Sequence, residues 1–73
     1  MATKDDILEK FADRLKTLRE KTGLTQEEFA YTCNIDRTYI GRLERMERTP
    51  SLTILSKIAK GLNMRLKDLF DFD

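Results

Sequence analysis

Seventy-three residues with 14 basic and 13 acidic side chains, a net charge of +1, give room for one small domain with a marginal core and no overall charge bias toward nucleic acid. With no His and a single Cys, the chain excludes histidine acid–base catalysis, His-ligated metal, an intrachain disulfide and a multi-thiolate zinc site. No apolar run approaches the ~20 residues of a membrane span, and Met1 to Asp6 hold no signal core, so a reducing cytosol is the expected setting.

The absence of Val and the heavy use of Leu, Lys, Glu and Arg favour helix over strand. In the first segment Leu8, Phe11, Ala12, Leu15 and Arg19 keep helical spacing, with Ile7 and Leu18 widening the stripe. Thr3 to Asp6 offer caps and Gly23 a stop, which predicts a helix over about 5–22. Thr25-Gln26-Glu27-Glu28 has the form of a capping box, with Phe29, Ala30 and Cys33 facing inward. Asn34, suited to a left-handed turn, limits that helix to about 26–32. Asp36 is a good cap for a third helix over about 36–45. Ser51, after Pro50, caps a fourth over about 51–61, with Leu52, Leu55, Ile58 and Ala59 on its face and Gly61 as its stop. Leu66, Leu69 and Phe70 mark a fifth over about 65–70. The prediction is an all-α chain of five helices forming a single domain over 1–73.

On a helical wheel of residues 36–45, Ile40 and Leu43 set the buried direction and Glu44 falls on the same side. Thr38, Gly41, Arg42 and Arg45 take the opposite face, flanked by Arg37 and Tyr39, and Arg48 follows in the loop. That arc holds arginine, hydroxyl and aromatic groups and no carboxylate. Outward Arg serves solubility in many helices, but its planar fork also matches guanine edges and phosphates. Two charges sit on apolar faces: Arg19 continues the first helix's stripe, and Glu44 lies beside Ile40. A buried charge is expensive unless paired, so an Arg19–Glu44 ion pair is expected; the competing expectation is that both side chains reach out to water.

The stretch Gln26 to Glu44 resembles the helix-turn-helix of lambda-repressor-like (Cro/Xre-type) transcription regulators. Ala30 stands at that family's small crossing residue, Asn34 at its turn glycine, Ile35, Ile40 and Leu43 at its inner apolar positions, and Arg19 and Glu44 at its Arg–Glu pair. The resemblance covers about residues 8–70, and Asp36-Arg37-Thr38-Tyr39-Ile40 is similar to controller proteins of restriction–modification systems. It implies a compact five-helix lambda-repressor-like DNA-binding domain that binds double-stranded DNA as a homodimer. The C-terminal helix is the expected dimer surface, and no catalysis, cofactor, metal, membrane or small-molecule ligand is implied. By the same resemblance, Arg37, Thr38 and Arg42 face base edges in the major groove, while Gln26, Tyr39, Arg45 and Arg48 hold backbone phosphates.

Three positions depart from the family's pattern. Met46 stands where the family often has glycine, so either it carries positive φ with strain or the loop is rebuilt. Arg65 replaces a hydroxyl cap, and Gly41 either admits DNA backbone or relieves crowding. Cys33 reads as a small buried hydrophobe. Asp68, Asp71 and Asp73 around Phe70 and Phe72 read either as a frayed tail or as a dimer contact. The alternative function is an antitoxin or adaptor whose helices mainly bind a partner protein.

Overall fold

The computed structural model describes residues 4–72, with side chains from residue 6 onward. Four α-helices and a closing 3-10 helix follow one another: α1 Lys4–Thr22, α2 Gln26–Thr32, α3 Tyr39–Glu44, α4 Leu52–Gly61, and Leu66–Phe70. The all-α class and the order of five helical segments agree with the sequence reading, and no strand occurs among the described residues. The cap expected around Thr3 and Asp5, and the tail residue Asp73, lie outside the described side chains.

Local hydrogen bonding explains where each helix starts. Thr25 Oγ1 accepts from the Glu28 N–H at 3.1 Å, and Glu28 Oε1 accepts from the Thr25 N–H at 2.9 Å, completing the capping box of α2. Ser51 Oγ accepts from the Ile54 N–H at 3.1 Å and starts α4. The third helix differs from the expectation: it begins at Tyr39, not at 36. Asp36 takes the Thr38 N–H (3.1 Å) and the Thr38 hydroxyl on its own carboxylate, while its carbonyl accepts from the Tyr39 N–H at 2.9 Å. The acid expected to cap a helix instead closes a turn over residues 36–39, and Arg37 and Thr38 lie in that turn.

Helices α2, α3 and α4 end by one device, with left-handed residues at Asn34 (φ 59°), Met46 (φ 63°) and Asn63 (φ 54°). In each case a pair of backbone bonds closes the end. For α3 the Glu47 N–H donates to Arg42 O at 2.8 Å and the Met46 N–H to Leu43 O at 3.1 Å. This is the Schellman pattern, which satisfies carbonyls left over by the helix. Met46 therefore does carry positive φ. Gly61 is the last residue of α4, as expected, and the left-handed residue that closes the turn after it is Asn63. The role of Gly61 is contact: a Cβ there would stand 2.3 Å from Cys33 Sγ and 3.3 Å from Cys33 Cα.

The fifth segment is a 3-10 helix, five residues long and entered from extended Arg65. The Asp68 N–H bonds Arg65 O at 3.0 Å, and Asp68 Oδ2 accepts from the Arg65 N–H at 3.3 Å, so the cap at its entry is provided by Asp68. Arg14 Nη2 donates to Asp68 O at 2.9 Å and ties the segment to α1. The Phe70 ring lies 5.7 Å from Phe11 and 6.1 Å from Phe72, so the chain end is packed through Phe72. It is not a frayed tail over these residues.

Phe29, Leu15, Ile40, Leu43, Ile58 and Leu69 are the largest fully buried side chains, and they draw on all five elements. Of the α1 stripe, Phe11, Ala12, Leu15 and Leu18 are buried, whereas Ile7, expected to widen it, is exposed. With seven and six residues, α2 and α3 are far below the length at which a helix persists alone. Their geometry is held by this shared core and by the polar contacts described next.

Candidate nucleic-acid interface

Where α1, α2 and α3 meet, a carboxylate is enclosed by nitrogen donors. Glu44 Oε2 accepts from Arg19 Nε at 2.6 Å, and Oε1 accepts from Arg19 Nη2 and Gln26 Nε2, each at 3.0 Å. Arg19 Nη1 donates to Leu24 O at 3.0 Å. The two charged side chains are 12% and 4% exposed, so this is a bidentate, largely dry ion pair in which each guanidinium nitrogen makes a hydrogen bond. The hydrogen bond to Glu44 raises the Arg19 pKa, outweighing the opposing effect of burial. The node sits one turn from the outward face of α3 and joins three helices through one side chain.

Gln26 is therefore placed differently from a free phosphate ligand: one amide N–H is committed to Glu44, leaving its second N–H available. Gly41 is a further difference. The wheel set it on the outward face, yet it is buried, and a Cβ there would stand 2.9 Å from Gln26 Oε1 and 3.0 Å from Arg45 Nη1. A side chain at this position would displace the tips of these two side chains.

The outward side carries Arg37, Thr38, Arg42, Arg45 and Arg48, all exposed, with Tyr39 half-buried against the core. Among the described residues Arg37, Arg42 and Arg48 make no ion pair. Contrary to the wheel, this face is not free of carboxylates. Asp36 holds the Thr38 hydroxyl, and Glu47 folds back onto Arg45, with Nε–Oε2 at 2.7 Å. Thr38's two hydrogen bonds hold the Asp36 carboxyl below its usual range, with Arg42 and Arg37 adding to the effect. The hydrogen bond from Arg45 does the same for Glu47 and raises the Arg45 pKa in return.

Glu47 is the residue at this face that sequence reasoning missed. Its approach to Arg45 depends on the left-handed turn at Met46, which no helical wheel contains. Tyr31 on α2 is 88% exposed, on the side away from Phe29, a position legible in the helical period. No group of three or more His, Cys, Asp or Glu converges among the described residues. No helix there is long and apolar enough to cross a membrane.

Comparison with known proteins places this geometry. A helix-turn-helix family profile matches residues 15–69, which include the turn, both of its helices and the ion pair. Control protein C.MunI of Mycoplasma sp is 46% identical over 67 residues, covering 90% of each chain. The crystal structure of the restriction–modification controller protein C.AhdI from Aeromonas hydrophila superposes with a TM-score of 0.82 at 41% identity, covering 86% of this chain and 96% of that one. A tyrosine-to-phenylalanine variant of C.Esp1396I, solved bound to its highest affinity operator site, superposes with a TM-score of 0.80 at 37% identity, covering 89% of this chain and 86% of that one. The chain belongs to the Cro/Xre-type helix-turn-helix family of transcription regulators, with restriction–modification controller proteins among its relatives.

Proposed function

We propose that the protein is a homodimeric, non-catalytic regulator that reads a near-palindromic site in double-stranded DNA, as a controller of a restriction–modification system in the cytoplasm. The observation that carries this reading is the exposed Arg37, Arg42 and Arg48 at and around a helix anchored by the Arg19–Glu44–Gln26 node. The operator-bound relative supports it.

In this reading α3 enters the major groove with the preceding turn. Arg37 and Arg42 offer bidentate forks to guanine, and Thr38, its hydroxyl proton held by Asp36, offers its methyl to thymine. Gln26 uses its second amide N–H on a phosphate and so connects the DNA backbone to the buried carboxylate. Tyr39, Arg45 and Arg48 complete the phosphate contacts. One short helix reads few base pairs, so useful affinity calls for two copies about one DNA turn, ~34 Å, apart. An apolar cleft lined by Ile7, Phe11, Pro50, Leu55 and Phe70, beside the C-terminal segment, supports that segment as the dimer surface.

The test is selection of binding sites from a random duplex library at defined salt, followed by titrations of the enriched site. A near-palindrome should emerge. Affinity should fall steeply with salt, with a log–log slope of about −0.9 per neutralised phosphate. Arg42→Ala should relax preference at one base position by ~1–3 kcal/mol, while Arg48→Ala weakens all sequences alike. No enrichment, together with salt-independent binding, overturns the proposal in favour of a module that binds protein partners.

A further inference from the structure

Arg45 leaves the end of α3 with its guanidinium already occupied. Its Nε donates to Glu47 Oε2 at 2.7 Å and its Nη2 to Glu47 Oε1 at 3.2 Å, a bidentate pair. Its remaining end, Nη1, lies beside Gly41, 3.0 Å from where a Cβ would stand. The approach of Glu47 is built by the backbone: Met46 at φ 63° reverses the chain, and the Glu47 N–H is pinned to Arg42 O at 2.8 Å. Both side chains are about half exposed, at 56% and 51%, so this pair is open to competition from an external anion.

A carboxylate and a phosphate present the same two-oxygen edge to a guanidinium. We propose that Glu47 acts as an internal competitor for the DNA backbone, occupying Arg45 in the free protein so that a phosphate contact is exchanged for an internal one and not simply added. The inference rests on the DNA-facing role proposed above and extends it to regulation of affinity. Its consequence is uniform: occupying Arg45 lowers affinity for every duplex by the same factor and leaves discrimination to the base-reading side chains.

The experiment compares wild type with Glu47→Gln, Arg45→Ala and the double variant, by fluorescence anisotropy on the selected duplex and on a scrambled one at several salt concentrations. An exposed ion pair is weak, so Glu47→Gln should tighten binding by about two- to fivefold per protomer, and equally on both duplexes. The salt slope should steepen by up to about 0.9 per protomer, and most of the gain should vanish in the Arg45→Ala background. Unchanged or weaker binding by Glu47→Gln overturns the inference. So does a gain that survives intact without Arg45, which would reflect net charge alone. Loss of discrimination in Glu47→Gln also overturns it, because the carboxylate would then be reading a base. Wild type that binds and discriminates while Glu47→Gln gains nothing sinks this inference and spares the proposed function; wild type that binds neither duplex in a salt-dependent way sinks both.

Discussion

Glu44→Ala is the substitution with the largest consequence expected from the structure. The carboxylate takes three N–H bonds, from Arg19 Nε, Arg19 Nη2 and Gln26 Nε2. Without it, a guanidinium in a side chain 12% exposed retains only Leu24 O as an acceptor. Removing one member of a buried pair costs about 3–5 kcal/mol, because the other charge is stranded away from water. A chain of this length has a total stability of only about 4–11 kcal/mol at typical values per residue. At roughly 4–8 °C per kcal/mol, the melting temperature should fall by tens of degrees. Urea titrations followed by far-ultraviolet circular dichroism should show a similar loss for Arg19→Ala and less than the sum for the double variant. The cost should persist at high salt, since a dry pair is poorly screened. If Glu44→Ala and Arg19→Ala each shift stability by less than about 1 kcal/mol, or their effects simply add, the pair is not the anchor described.

Three other outcomes follow from the same structure. Gly61→Ala should destabilise by about 1–2 kcal/mol, the overpacking against Cys33 Sγ outweighing the gain in helix propensity; in a Cys33→Ala background, which keeps the tight Cα and Cβ contacts but removes the sulfur, the penalty should shrink, and an equal penalty in both backgrounds refutes the contact argument. Met46→Gly should stabilise by about 1 kcal/mol by removing left-handed strain, whereas Met46→Ala, which keeps the strain and loses side-chain contact, should not; thermal melts that rank Ala above Gly count against it. Burial pushes the Cys33 thiol from 9.0 up to about 11, so the unfolded chain ionises first on raising the pH. Stability should be unaffected below pH ~9 and decline between ~9 and ~11, and Cys33→Ala should flatten that decline in urea midpoints; coincident profiles would remove the thiol as its cause.

What the sequence discloses of this fold is what local chemistry decides. The capping box at Thr25, the cap at Ser51 and the 3.6-residue spacing of Phe11, Leu15 and Leu18 each act within a few residues, and each reappears in the structure. The misplaced charges Arg19 and Glu44 were legible for the same reason: a charge on an apolar stripe demands a partner. Asp36 shows the limit. An acid before a helix and an acid closing a turn use the same side chain and the same nearby N–H groups, so Asp36 alone does not tell that α3 starts at Tyr39. Gly41 lies on the flank of a six-residue helix, where the approach of Gln26 from α2 decides which side is inside. Glu47 reaches Arg45 only because Met46 takes positive φ, a condition the sequence leaves open.

The node at Glu44 also separates stability from function. Apolar contacts by Ile40 and Leu43 resist removal of α3 from the core but tolerate rotation, because the hydrophobic effect is non-directional. A bidentate ion pair with a third donor is directional, and it fixes the azimuth of α3 at residue 44. Arg42 lies two residues earlier, about 200° around the helix, so orienting Glu44 inward orients Arg42 outward. Replacing the pair by packed apolar groups, as in Arg19→Met with Glu44→Leu, should restore most of the stability lost in either alanine variant. If α3 reads bases as proposed, base discrimination should stay lost, because the helix is then held in depth but not in rotation. Titration of the double variant against selected and scrambled duplexes should give affinities that converge while the protein stays folded. Discrimination at the wild-type level in that variant would mean that apolar packing alone orients α3, and the polar node would be left with no role in recognition.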